Sequence, residues 1–393
     1  MVIPAYFKTS KYEEILLKFG FSDIVDNPFV QRIKGISFLS TMDYIYNLKH
    51  KSSRYDHSLG AAFLALELSN KLSLTSFQRE VLVIAYLLHD VGHAPFSHTS
   101  ETFLVEKKRK YHEGLLNSYL RYNTRLFSES LGLSDLLSHR SDEVKEAVTK
   151  LLLNNKTLDP ILDNIFFCSI NCDKLDGTNR LLYSLGLDHF SPTSLLNGFT
   201  KKDDRLYIKS EDVDDLVSFW SRKKKAYEEY IYTSDVLASE AMLTRALEIT
   251  YDDCQDLNHF LSKTDRDVFK ELLRDEDASK IVENFLEKFF FKALSVSHPE
   301  IFRIYKIDFI NSRFNKQNRI RLEHEIAEMI QIKPIFVISH FSYRKLFNQM
   351  TDDINQIPLP LFDDYNYTPI GLINKALFTR KLSGDIFEIF TRL

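Results

Sequence analysis

The chain has 393 residues, 44% of them hydrophobic and 27% charged, a formal net charge of −4 and only 11 glycines. That length allows one large core plus an appendage without disulfide staples, and the composition excludes extensive disorder. The slight negative charge removes the global basic field that long nucleic acid or an anionic membrane needs, so any anion site has to be local.

Few glycines and long Leu/Lys/Glu/Ile stretches tilt the fold toward helix, and 31 Phe with 19 Tyr point to a thick core or a sizeable interface. The opening MVIPAYFKTSKYEE lacks the apolar core of a signal peptide, and the longest apolar run, 81–88, is too short to span a bilayer. A soluble, cytoplasmic protein with no membrane partner is expected. Cys168, Cys172 and Cys254 form no C-x-x-C pair and leave an odd thiol, which suits a reducing compartment.

In chain order, LGAAFLALELSNKL at 59–72 places Leu59, Phe63, Leu66 and Leu72 near helical spacing. Thr75-Ser-Phe-Gln78 has the form of a capping box, so the apolar run from Val81 to Leu88 reads as a helix with His89 and Asp90 in its last turn. Gly92 and Pro95 break it, leaving His93 and His98 at or beyond its end. Helical patterns continue through 111–122, 142–153, 174–186 and 212–250, and LNGFTKKDDRLYIKS at 196–210 interrupts them as a hairpin. From about 300 the texture changes: IFRIYKIDFI, KPIFVIS, IPLPLF and DIFEIF read as short strands, separated by turns or by helical segments such as RIRLEHEIAEMI. The expected fold is mainly α, a helical bundle over 1–290 with a smaller α+β region over 291–393.

The chemistry concentrates in LLHDVGHAPFSHTSE at 87–101. An imidazole beside a carboxylate joins a borderline nitrogen donor to a hard oxygen, a common pair of metal ligands, although a lone His-Asp dipeptide is usually incidental. Arg54-Tyr-Asp-His57 lies upstream and Asn171-Cys-Asp173-Lys174-Leu-Asp176 downstream. His57, His89, Asp90 and Asp173 together would offer two nitrogens and two oxygens to one divalent ion, leaving room for water and a phosphate oxygen. Such a set suits Mn, Fe, Zn, Ni or Mg.

Five ordered segments carry a resemblance: NPFVQR at 27–32, RYDHSLG at 54–60, HDVGHAPFSHTSE at 89–101, His112-Glu113, and DKLDGTNR at 173–180. They resemble the HD superfamily of metal-dependent phosphohydrolases, in particular its deoxynucleoside triphosphate triphosphohydrolase branch. The resemblance covers most of 25–250 and implies an HD-domain helical bundle. It implies His57, His89, Asp90 and Asp173 as metal ligands, His93 and His98 facing the scissile phosphate, and His112 with Glu101 as an acid–histidine pair that manages protons. Arg54 and Lys174 match phosphate-holding residues, and Arg222 or Lys224 lies where the family has another basic partner, although a run such as RKKK is more often a solvated helix face. Gln31 matches a residue near the sugar and base, and Tyr232 one that helps exclude a ribose hydroxyl.

The resemblance also implies a nucleotide substrate, possible nucleotide activation, and homo-oligomers, dimers or tetramers. This chain departs from the pattern at Gly177 and Leu181, where the family has a tyrosine and an aspartate beside the nucleotide, and at Ser234-Asp235, where it has a His-Lys pair. Losing a buried hydrogen-bond partner costs roughly 1–3 kcal/mol, enough to blunt nucleotide discrimination without touching metal chemistry. The expected activity is hydrolysis of deoxynucleoside triphosphates to deoxynucleoside and triphosphate. The alternatives are an HD phosphohydrolase for another phosphate ester, such as a modified, monophosphate or signalling nucleotide, and a nucleotide-binding regulatory subunit without turnover.

Overall fold

Helices begin wherever a cap can satisfy their first N–H groups. The computed structural model describes residues 7–106, 112–122, 126, 132–168, 170–202, 204–209, 212–252, 257–312, 315–341, 361–362 and 387–391. After a short helix at Pro28–Arg32, capped by Asn27, come α1 (Arg54–Lys71) and α2 (Ser76–Leu88). Reciprocal capping boxes start both, Ser53 with Asp56 and Thr75 with Gln78, as the sequence led one to expect for the second. Nearly every side chain of α1 is buried, and α2 buries Val81 through Leu88, so this pair is the centre of the bundle. α2 ends slightly earlier than expected, at Leu88, with His89 at the C-cap.

Around this pair lie α3 (His98–Glu106), α4 (His112–Arg121), α5 (Asp142–Leu152) and α6 (Cys172–Ser184). α6 meets α1 at Gly60, where an added Cβ would stand 1.9 Å from Asp176 Oδ1. Only glycine allows that approach, and the approach is what brings Asp173 and Asp176 to the histidines of α1 and α2. The expected hairpin is present as β1 (Phe199–Lys202) and β2 (Arg205–Lys209), antiparallel with Phe199 opposite Ile208.

The pattern at 212–250 is two helices rather than one: α7 (Val213–Ala226) runs into a π-turn at Tyr227–Ile231, and α8 (Ser234–Tyr251) restarts at Thr233, whose hydroxyl accepts from Val236 N. Then follow α9 (Asp265–Leu272) and α10 (Glu276–Leu286).

The remainder comprises β3 (Lys292–Ala293), α11 (Pro299–Ser312), α12 (Lys316–Met329), β4 (Val337–Phe341), β5 (Leu361–Phe362) and β6 (Phe387–Thr391). β6 is the middle strand of one sheet, antiparallel to β3 and β4, while β5 pairs in parallel with β2. KPIFVIS and DIFEIF thus supply strands, and IPLPLF supplies Leu361–Phe362.

IFRIYKIDFI does not form a strand: it is α11. Pro299 pre-sets φ at its first position, and Ile301, Phe302 and Tyr305, spaced i, i+1, i+4, pack on Leu322, Ile326 and Val337, so the helical period wins over β-branched propensity. Cys254 lies outside the described residues. The fold is mainly α, and among the described residues no helix is long and apolar enough to cross a membrane.

The C-terminal elements are tied to the bundle by buried charge. Arg245 and Glu248 on α8 meet Arg319 and Glu323 on α12: Arg245 donates to Glu323 at 2.6 Å and to Glu248 at 2.9 Å, and Arg319 donates to Glu248 at 2.8 Å and to Glu323 at 3.1 Å. Ser339 of β4 adds its N–H and hydroxyl to Glu323, at 2.9 and 2.6 Å. Burial alone would raise the Glu323 pKa, but the two guanidiniums hold it below its usual range. Glu323→Ala leaves two buried guanidiniums to share the single carboxylate of Glu248 and strands the Ser339 N–H, and is expected to cost about 3–5 kcal/mol. Urea denaturation measures it; a loss under about 1 kcal/mol would mean that water already screens the network.

Candidate metal centre and active site

The C-cap of α2 points His89 toward His57 on the first turns of α1. His57 Nδ1 is 2.7 Å from Asp176 Oδ2, and His89 Nδ1 is 2.7 Å from the Tyr86 carbonyl. Each Nδ1 therefore carries the donated proton, and the two Nε2 atoms face each other 3.3 Å apart across rings inclined at 71°. Two lone pairs so close repel unless a cation stands between them. Asp173 Oδ1 lies 3.1 Å from His57 Nε2 and 3.8 Å from His89 Nε2, while Asp90 comes within 3.8 Å of His57 and 3.5 Å of His89. Burial would lower the His57 pKa, yet Asp173, Asp176 and Asp90 raise it to about 9. That pocket calls for positive charge, and a divalent ion on His57, His89, Asp90 and Asp173 would supply it, with Asp176 orienting His57 from behind.

A second cluster adjoins the first through Asp90. Asp90 Oδ1 stands 3.4 Å from His93 Nε2, and neither ring nitrogen of His93 has a hydrogen-bond partner. Glu101 holds His112 Nδ1 at 2.6 Å and His98 Nδ1 at 3.1 Å. Although His93, His98, Glu101 and His112 lie close enough to invite a metal reading, the His93 and His112 rings stack 3.9 Å apart at 17°. A metal sits in the plane of each imidazole that binds it, and stacked planes cannot share one, so this group suits phosphate oxygens and protons instead. Gly92 makes the stack possible, because a Cβ there would stand 2.1 Å from the His112 carbonyl.

The two clusters differ in charge. Burial lowers the pKa of His93, and Arg54 and His112 lower it further. His98 is also held low, burial outweighing Glu101. At His112 the balance reverses: burial lowers its pKa, but the hydrogen bond and charge of Glu101 raise it above the ordinary value. His112 is thus the imidazole of the three best placed to carry a proton. Arg54 lies beside the clusters, donating from Nη1 to Asp90 at 2.9 Å and from Nε to Ser97 at 2.9 Å. His57, His93 and Asp90 form a closed floor, whereas Asp173 and His98, 40% and 38% exposed in their side chains, mark the open rim.

The other sequence candidates lie as follows. Lys174 is half-buried beside Asp173 in the first turn of α6. Gln31 donates to the Val25 carbonyl at 2.7 Å, Arg222 reaches Asp188 at 3.1 Å, and Lys224 pairs with Glu228 at 3.6 Å, so these three turn to partners outside the two clusters. Tyr232 is half-buried, 5.8 Å from the Tyr227 ring. Leu181 is buried in an apolar cluster. Gly177 leaves a space that Phe38 closes, its Cζ 3.3 Å from where a Cβ would lie and its ring 4.7 Å from that of His57.

Sequence reading assigned no role to Asp176, Phe38, Ser97 or Asp265. Only Asp176 carried a signal, at i+3 from Asp173 on one helix face.

Residues 54–159 match the family model for the HD domain. The chain is 26% identical over 283 residues to the deoxynucleoside triphosphate triphosphohydrolase SAMHD1 homolog of Dictyostelium discoideum, covering 66% of this chain and 52% of that protein. It is 23% identical over 232 residues to the uncharacterized protein YwfO of Bacillus subtilis, covering 57% and 51%. The chain therefore spans about half the length of these curated relatives. In fold it is similar to a phosphohydrolase of Bacteroides thetaiotaomicron, with a TM-score of 0.64 and 18% identity over 94% of this chain and 95% of that one.

Proposed function

The chain carries an HD domain of the metal-dependent phosphohydrolase class, and from that premise we propose that it hydrolyses deoxynucleoside triphosphates to deoxynucleoside and triphosphate. The observation that carries this reading is the pairing of a cation-seeking pocket, His57, His89, Asp90 and Asp173, with a proton-bearing His112–Glu101 pair, adjoined through Asp90 and His93, with Arg54 bonded to Asp90. A divalent ion bound there supplies Lewis acidity to a phosphoryl oxygen and acidifies water.

The chain's own groups do the rest. Arg54 and Lys174 hold phosphate oxygens, and His93 and His98, neutral and donor-capable, line the α-phosphate. Water adds to the α-phosphorus and gives up a proton, the bond from phosphorus to the 5′ oxygen breaks, and the His112 imidazolium hands its proton to that oxygen. A proton from solvent recharges the imidazole, so that one water is consumed and no net proton is gained at the site. The deoxynucleoside leaves with a 5′ hydroxyl and the triphosphate stays intact. Tyr232, Gln31, Arg222 and Lys224 would face the substrate only if it extends beyond the two clusters. We take 1–290 as the catalytic region and 291–393 as accessory, in a cytoplasmic homo-oligomer whose activity a second nucleotide could tune.

A second reading, hydrolysis of another phosphate ester, is favoured by one observation: Leu181 is 4% exposed in an apolar cluster, so no side chain at that position bonds a sugar hydroxyl. Incubation with each dNTP and NTP, alone and mixed, under Mn²⁺ and Mg²⁺, with anion-exchange separation of products, tests both. Tripolyphosphate from dNTPs is expected; orthophosphate or pyrophosphate would overturn the assigned bond. Inertness to every dNTP with turnover of another ester would favour the second reading.

A further inference from the structure

Asp265 opens α9, 228 residues from Ser37 in sequence, yet its carboxylate binds both loops that flank the metal pocket. Oδ1 accepts the Phe96 N–H at 2.7 Å, and Oδ2 accepts the Ser37 N–H at 2.9 Å and the Tyr44 hydroxyl at 3.1 Å. Those loops are in conformations that side chains seldom hold unaided: Phe96 and Ser97 are consecutive left-handed residues, with φ of 62° and 51°, and Ser40 is a third at 57°. Ser40 braces the same turn from the other side, its hydroxyl donating to the Phe96 carbonyl at 2.6 Å.

The consequence runs to Arg54. The Ser97 hydroxyl donates to the Ser37 carbonyl at 2.7 Å and accepts from Arg54 Nε at 2.9 Å, so the two backbone segments that Asp265 fastens are the two that fix this hydroxyl. The hydroxyl in turn fixes the plane of the guanidinium, whose Nη1 donates to Asp90. Asp265 is 3% exposed and touches none of the proposed metal ligands. A carboxylate is required there because it accepts on both oxygens; an amide presents one acceptor and one N–H₂, so one loop must lose its partner.

We infer that Asp265 is a positioning residue: by clamping Ser37 and Phe96 it orients Arg54 for its hold on the substrate's phosphates. This rests on the proposed role of Arg54 as a phosphate clamp. It is distinct from helping α9 to pack, which Val268 and Leu272, also buried on that helix, do without reaching the site.

The test is a double-mutant cycle read by calorimetric binding of inorganic tripolyphosphate to the full chain loaded with Mn²⁺. Asp265→Asn is expected to weaken binding roughly tenfold, through a displaced charge-assisted contact. On an Arg54→Ala background the same change is expected to add nothing. Leu272→Ala, which loosens the same helix, is expected to lower stability and leave tripolyphosphate affinity unchanged.

Additive losses in the cycle, or equal weakening by Leu272→Ala, would overturn the inference. A wild type that binds no tripolyphosphate would instead sink the triphosphate reading. The inference would then be decided by the ¹⁵N–¹H signal of Arg54 Nε, assigned by its absence in Arg54→Ala. Asp265→Asn must move that signal and Leu272→Ala must not; an unmoved signal in Asp265→Asn rejects the positioning role.

Discussion

Replacing both His89 and Asp90 with alanine is expected to reduce the tightly held metal from about one ion per chain to a trace and to lower turnover on the order of 10⁴-fold, about 5–6 kcal/mol of barrier. The pocket geometry sets the size of the effect. His57 and His89 aim Nε2 at one point from rings 71° apart, and among the described residues only these two imidazoles meet there. Removing one leaves a single nitrogen, and removing Asp90 takes away a buried carboxylate whose pKa is held well below the usual range by His89, Arg54 and His93 despite burial.

The double change also strands Arg54, which loses its 2.9 Å partner, so part of the lost activity could come from a collapsed site. Asp176→Asn, read beside its urea stability because Asp176 also accepts from the buried Arg180 Nε at 2.6 Å, separates the two causes. Asp176 lies behind His57 and would not itself ligate, yet it fixes the Nδ1 proton and hence the Nε2 lone pair. Metal affinity is expected to fall about 10–100-fold in Asp176→Asn, with turnover recovered at saturating metal. Elemental analysis after gel filtration, followed by a metal titration of activity, measures both variants. Full metal content in the double variant would mean that the ion, if any, sits elsewhere.

Much of this was legible before any coordinates because the signals were local. The Thr75–Gln78 box and the break at Gly92 and Pro95 each depend on residues within three positions of one another, and the hairpin pairs residues no more than nine apart. What was illegible depended on distance. α11 reads as strand until Ile301, Phe302 and Tyr305 are seen against α12, and the split between α7 and α8 follows from a π-turn inside a stretch that is helical in pattern throughout.

The site divides in the same way. The four proposed metal ligands and the His112–Glu101 pair sit in recognisable strings, whereas Asp265 and Phe38 make their contacts only in space. Arg222 and Lys224, candidates by position alone, pair with Asp188 and Glu228 instead.

Glu101→Gln and His112→Gln are each expected to lower turnover about 10²–10⁴-fold with metal content unchanged, the usual loss for a general acid or the group that charges it. The two should differ in pH dependence. The groups around His112 are Glu101, Glu113 and Asp90, which raise its pKa, and burial, which lowers it; His93 and His98 flank the ring. Glu101 is itself ionised well below its ordinary range, because His98 and His112 outweigh its burial. Activity that needs the imidazolium is present below the His112 pKa and is lost as pH rises through it. Taking away the Glu101 charge removes the largest favourable contribution, so the fall must move to lower pH in Glu101→Gln.

In His112→Gln the fall should vanish, leaving a flat, low rate over that range, because a glutamine has no proton to lose. The comparison is a kcat–pH profile at saturating metal. An alkaline fall that stays in place in Glu101→Gln would show that another group protonates the leaving oxygen. That group would not be His98, which shares the same carboxylate at 3.1 Å and whose titration would move with it.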